Sequence, residues 1–107
     1  MGWLVVMFDL PVVEKEERKL ASDFRKSLLE DGYLMMQFSV YARPCVSYEH
    51  YEKHIQRLQP IVPPGGNVKV LFITDKQWGS IMTVSIPNYY KKWKAAPDMP
   101  EQMEFWN

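Results

Sequence analysis

"WLVVMFDLP", residues 3–11, sets six apolar side chains in a row before a lone carboxylate, Asp9, with a proline two positions later. The apolar run is continuous rather than alternating. That pattern belongs to a strand covered on both faces, or to the strand at the centre of a sheet. Pro11, which has no N–H for a ladder, marks the exit. Asp9 therefore falls at the C-terminal end of a central strand, on the rim of the sheet. Two readings stand for it: a turn residue that accepts backbone N–H groups before the next element, or a functional carboxylate. Pattern alone favours the turn residue.

Working outward, residues 14–31 read as a helix. Leu20, Ala21, Phe24 and Leu28 share one face, Glu14, Glu16 and Glu17 suit the N-terminal end of the dipole, and Gly32 is a good stop. The N-cap reads as poor, because Val12 and Val13 stand where Ser, Thr or Asp is preferred. Residues 33–42 read as a strand, with Met36, Phe38, Val40 and Ala42 on one side and Gln37, Ser39, Tyr41 and Arg43 on the other; Pro44 ends it or sits at a bulge. Residues 47–59 read as a second helix, N-capped by Ser47, with Tyr48, Tyr51, Ile55 and Leu58 as its apolar face and Pro60 as its stop. After the "PPGGN" turn, residues 67–74 read as a strand that is apolar on both faces and so central. "KQWGSI" reads as one helical turn and "MTVSI" as a short strand. Residues 84–107 read as a connector and an aromatic C-terminal segment that docks on a sheet, its own or a neighbour's.

The order strand, helix, one strand or two, helix, strand and extension, about four strands with two helices, gives one α+β domain over residues 1–107. The expected architecture is the ferredoxin-like split βαβ arrangement, a four-stranded antiparallel sheet with both helices on one face. The other sheet face then needs cover, which a second copy or another partner could give. The composition agrees: 47% of the 107 residues are apolar and 14% aromatic, more than a small core absorbs. Disorder is excluded on the same ground. The formal net charge is zero, so any grip on nucleic acid must come from locally arranged Lys and Arg. A single cysteine, Cys45, excludes an internal disulfide and a cysteine zinc site, and fits a reducing cytoplasm. No apolar run approaches the ~20 residues of a membrane helix, and no signal-peptide pattern opens the chain.

The residues that bear chemistry are few. Asp9 alone is a poor site for Mg²⁺, which takes six oxygen ligands, but a two-fold axis beside it would bring two carboxylates together. On the first helix, Lys15, Arg18, Lys19 and Lys26 cluster opposite the apolar face. Such a stripe suits a phosphate backbone; a solvated face with Glu14–Arg18 and Glu16–Lys19 pairs is the plainer reading. His50 and His54 stand four apart, but Tyr51 occupies the place where a zinc protease has Glu. Gly65 and Gly66 open a strand, not a helix, and no Lys-Ser or Lys-Thr follows, so this is not a phosphate loop. Cys45 has no evident base partner.

Taken together, "VVMFDLP", "EERKLASDFRKSLLEDGYLMMQFSVYARP", "VKVLFITDKQW" and "PEQMEFW" resemble the small adaptation protein of CRISPR systems, the CRISPR-associated protein two family, in its type II flavour. The match runs nearly the whole chain. "GY…MQFSVY" with "ITDKQW" is its specific part. Tyr41 stands where the family's Q-x-S-V-F stretch commonly has Phe. The resemblance implies a ferredoxin-like fold and a symmetric homodimer, with sheets packed face to face and the C-terminal strand, matched by "QMEFW", crossing to the partner. It implies that Asp9 binds magnesium or manganese at the dimer two-fold, with endonuclease or endoribonuclease activity on RNA or duplex DNA. It also implies a role in spacer acquisition, in which the dimer bridges dimers of the adaptation integrase and binds protospacer DNA. Lys15, Arg18, Lys19, Lys26 and Arg43 are then the expected nucleic-acid contacts. No obvious general base accompanies Asp9, since His50 and His54 sit on another element. The scaffold is therefore the favoured function and metal-dependent hydrolysis the alternative.

Overall fold

The structure is a computed structural model and describes residues 1–84. The elements run β1 (Gly2–Asp9), α1 (Lys15–Glu30), β2 (Leu34–Gln37), β3 (Val40–Cys45), α2 (Tyr48–Leu58), a 3-10 turn (Gln59–Ile61), β4 (Asn67–Thr74) and α3 (Asp75–Gly79). The sheet order is β2-β3-β1-β4, and every pairing is antiparallel. This is the expected split βαβ arrangement, with β1 at the centre. Along β1, Leu4, Val6 and Phe8 face a core built with Ala21, Phe24 and Leu28 of α1 and Leu58 of α2, so both helices lie on one face. Leu4 and Val6 are wholly buried. Phe8 meets Phe24 edge-on, with ring centroids 5.1 Å apart.

Several expectations are corrected. The stretch over 33–42, read as one strand or two, is two: a hairpin of β2 and β3 that turns at Phe38 and Ser39, where the linear pattern gives no turn. A pairing irregularity between Met35 and Gln37 takes up the reversal, and both turn residues keep negative φ. Pro44 lies inside β3, opposite Trp3, and ends nothing. β4 is an edge strand among the described residues, not a central one. Its two apolar faces have separate causes: Val68 and Val70 pack on the core, whereas Leu71 and Ile73 align across the ladder with Val5 and Trp3 on the face away from the helices. Leu20 is 42% exposed, since α1 packs through Ala21, Phe24 and Leu28 and Leu20 falls beside that stripe. On α2 the buried residues are His54 and Leu58; Tyr48 is exposed and leans on Tyr51 instead.

The caps are better than the sequence reading allows. Glu14 is the N-cap of α1, and its N–H donates to Glu17 Oε1 at 2.8 Å. Ser47 caps α2 as expected, accepting from the His50 N–H. The expected helical turn after β4 is α3: Thr74 Oγ1 accepts from the Gln77 N–H at 3.1 Å, and Trp78 stacks on Trp3 with centroids 3.9 Å apart. Residues 82–84 form no strand, and the rest of the connector and C-terminal segment, 85–107, lies outside the described residues. No described helix is long and apolar enough to cross a membrane.

The sheet face away from the helices carries no described element except α3 and residues 81–84 at one side. Trp3, Val5 and Met7 of β1, Val40 and Ala42 of β3, and Leu71 and Ile73 of β4 share it by register. Leu71 stays 50% exposed. A groove of about 480 Å³ runs between this face and residues 81–84, lined by Val5, Met36, Val40, Trp78, Met82 and Val84.

Candidate metal and nucleic-acid site

Asp9 is the last residue of β1, exposed and opposite Asn67 of β4. The strand's alternation puts it on the same face as Trp3, Val5 and Met7, the face away from the helices. Leu10 turns back into the core beside Gly66, where a side chain's Cβ would come within 2.8 Å of Leu10 Cδ2. The bare Gly66 thus lets the chain leave β1 tightly over the "PPGGN" turn, and Gly65 supplies the positive φ, 77°, that the turn needs. On the other flank, the Phe8 N–H donates to the Ser39 carbonyl at 3.0 Å, which ties the β2–β3 turn to the same rim.

One chain offers one carboxylate here, Asp9, with the Asn67 amide opposite it. Among the described residues, no three His, Cys, Asp or Glu side chains gather at metal-binding spacing. A lone carboxylate on the rim of an apolar face is a poor divalent-metal site; a second Asp9 across a two-fold axis would make a fitting pair.

The α1 stripe is in place: Lys15, Arg18, Lys19 and Lys26 are all exposed. The Glu14–Arg18 and Glu16–Lys19 pairs do not form; the ion pairs of the described residues all converge on Asp31. Arg18 instead donates to the Val13 carbonyl at 2.7 Å and pins the loop that follows Asp9 to α1. Arg43 stands apart. It points to the helix layer, where its guanidinium donates to the Asp31 carbonyl and lies 5.8 Å from the Tyr33 ring.

Asp31, the C-cap of α1, joins three elements. Its carboxylate pairs with Arg57 of α2, and its carbonyl receives Arg43 of β3. Buried His54 sets Nδ1 3.5 Å from the same carboxylate and meets Tyr33 edge-on. His50 and His54 stand ring edge to ring face, 6.3 Å between centroids, with His54 committed to this junction. Cys45 is buried, donates its thiol to the Ser47 carbonyl at 3.5 Å, and has its pKa raised by burial. Its burial and its raised pKa both disfavour the thiolate that a nucleophilic role needs.

Sequence reading missed one pair at the rim. Arg25 lies over the Phe38 ring, 3.8 Å from its centroid, and donates Nε to the Phe38 carbonyl at 3.1 Å. Phe38 reads as a strand residue in the linear pattern, and only the hairpin turn brings it to α1.

A family model described as CRISPR associated protein Cas2 matches residues 1–81. The chain belongs to the Cas2 family. Among similar Cas2 proteins, the CRISPR-associated endoribonuclease Cas2 of Flavobacterium psychrophilum is 44% identical over 100 residues, covering 94% of this chain and 83% of that one. That of Parvibaculum lavamentivorans is 51% identical over 79 residues, covering 74% and 78%. The crystal structure of Streptococcus pyogenes Cas2 at pH 6.5 matches the fold with a TM-score of 0.62 at 17% identity, over 78% of this chain and 99% of that one. At that identity the likeness speaks for the Cas2 fold alone.

Proposed function

We propose that this Cas2-family chain acts as a symmetric homodimer, the uncovered faces of two sheets packed together, and serves CRISPR spacer acquisition as a scaffold that binds protospacer DNA and bridges dimers of the adaptation integrase. The observation that carries the dimer is the apolar face of Trp3, Val5, Met7, Leu71 and Ile73, on which Met7 and Leu71 stay exposed and the other three are only half-buried. An isologous contact there repeats every residue of the face across the axis. Among the described residues no strand pairs with the outer edge of β4, which makes it a place for the C-terminal segment of the other copy. The exposed Lys15, Arg18, Lys19 and Lys26 meet phosphates along α1, and the zero net charge makes this grip local and salt-sensitive. Arg43 contributes only at the margin, since its guanidinium is held by Asp31.

A second reading is metal-dependent endoribonuclease activity. The names of the similar Cas2 proteins favour it, as does the position of Asp9. In the dimer, two Asp9 carboxylates would hold magnesium or manganese, and a bound ion of this kind polarises a phosphoryl oxygen and lowers the pKa of a water. The residues of α1 orient the strand.

One experiment separates the two. Wild type and Asp9→Asn are compared in reconstituted spacer integration with the partner integrase, and in cleavage of RNA and duplex DNA with magnesium or manganese. Integration near the wild-type rate with cleavage lost is expected. Integration that collapses in a still-dimeric Asp9→Asn protein would refute the metal-independent scaffold; cleavage that persists unchanged would remove Asp9 from the hydrolytic reading.

A further inference from the structure

Phe38 is a large aromatic on a two-residue turn, yet it is 69% exposed and takes no part in the core. One face of its ring is backed by the Arg25 guanidinium, and the Nε bond to its own carbonyl fixes the cation there. The exposed surface must then include much of the opposite ring face. Arg25 belongs to α1, so the ring lies on the helix side of the sheet rim. A second copy seated on the open face leaves it accessible.

Its surroundings point to a ligand class. The turn is tied to β1 at Phe8, one residue before Asp9. Arg25 follows Arg18 by seven residues, two helical turns, and so lies on the Arg18 flank of the basic stripe. An aromatic plane beside a row of cations is the arrangement that takes an unpaired base on the plane and its phosphates on the cations. The guanidinium behind the ring adds a cation–π contact and holds the ring before a base arrives, which reduces the entropy lost on stacking.

We propose that Phe38, positioned by Arg25, is a stacking platform for an unpaired nucleobase of single-stranded RNA or DNA whose phosphates follow the Arg18 side of α1. This rests on the nucleic-acid-binding reading above and narrows it to unpaired strand, because inside a duplex both faces of each base are already stacked.

The test titrates the full-length protein with short single-stranded RNA and DNA, each carrying one 2-aminopurine, and with a blunt duplex of the same sequence. Calcium replaces magnesium so that no strand is cut. Wild type and Phe38→Trp quench the 2-aminopurine. Phe38→Ala and Phe38→Leu lose the quenching and bind single strands about tenfold more weakly, with duplex binding unchanged. The arm in which Phe38 matters, RNA or DNA or both, identifies the strand. Arg25→Lys keeps the charge but not the flat contact, so it retains duplex binding and loses part of the quenching. Single-strand binding that is indifferent to Phe38, or a loss shared equally by the duplex, overturns the platform while leaving the nucleic-acid reading intact. A wild type that binds neither single strands nor duplex removes both.

Discussion

His54 lies buried where the end of α1 meets α2, and five polar or charged side chains surround it: Asp31, Arg43, Arg57, Tyr33 and His50. Its Nδ1 is 3.5 Å from the Asp31 carboxylate, too far for a good hydrogen bond, and finds no other partner among the described residues. Burial lowers its pKa from 6.5, Arg43 and Arg57 lower it further, and Asp31 only partly opposes them. The unfolded chain therefore takes up a proton near pH 6.5, where the folded chain still resists it. In that window the unfolded state binds more protons, so stability falls as pH falls. The urea midpoint is expected to drop between about pH 7.5 and about pH 5.5, with a flatter profile for His54→Gln. A wild-type midpoint that rises on acidification contradicts the assignment. Tyr33, its pKa raised by burial and by the Asp31 charge, stays protonated throughout. The chelating look of "HYEKH" in the sequence misleads because spacing along a helix does not tell which of two histidines the neighbouring layer buries.

Among the elements, β1 and the two long helices were legible because each has one dominant period or run. The β2–β3 hairpin was not. Its turn, Phe38-Ser39, contains none of the Gly, Asn or Asp residues that announce a two-residue loop, and it needs none, since φ is negative at both positions and an irregularity in β2 accommodates the turn. β4 misled for another reason: two apolar faces indicate two coverings, not a place in the sheet. α3 shows how little sequence a short element needs when its neighbours hold it. Thr74 caps it, its N–H donates back to Gln77 Oε1 at 2.9 Å, and Trp78 stacks on Trp3 with the rings 7° from parallel. Thr74→Ala removes the cap and is expected to destabilise the protein by about 1 kcal/mol. The expected local signature is a weaker Trp3–Trp78 exciton couplet in the near- and far-ultraviolet circular dichroism. A couplet that survives intact would show that the stack, not the cap, fixes α3.

At the scale of the whole molecule, the candidate site is a product of topology. The position of Asp9 at the end of an apolar run was legible, but its face was not, because a continuous apolar run has no alternation to tell helix side from open side. Only the placement of both helices over Leu4, Val6 and Phe8 assigns Asp9 to the face with Trp3, Val5 and Met7. The Phe38–Arg25 pair was illegible for a related reason: its members are 13 residues apart and meet only across the hairpin turn. The same topology makes oligomeric state the sharpest global test. Leu71 stands on the open face and is 50% exposed; Tyr48 stands on the helix layer and is 63% exposed. A charge at Leu71 costs little in a monomer, since water still reaches it. In a face-to-face dimer the two-fold axis buries two such charges at once, without partners. Sedimentation equilibrium is expected to give wild type and Tyr48→Glu at twice the 12.7 kDa chain mass. Leu71→Glu should weaken the dimer by about thirtyfold or more, the effect of losing roughly 2 kcal/mol at the centre of an interface. The reverse pattern, with Tyr48→Glu monomeric and Leu71→Glu still paired, would move the interface to the helix layer and take the Asp9 pair off the symmetry axis.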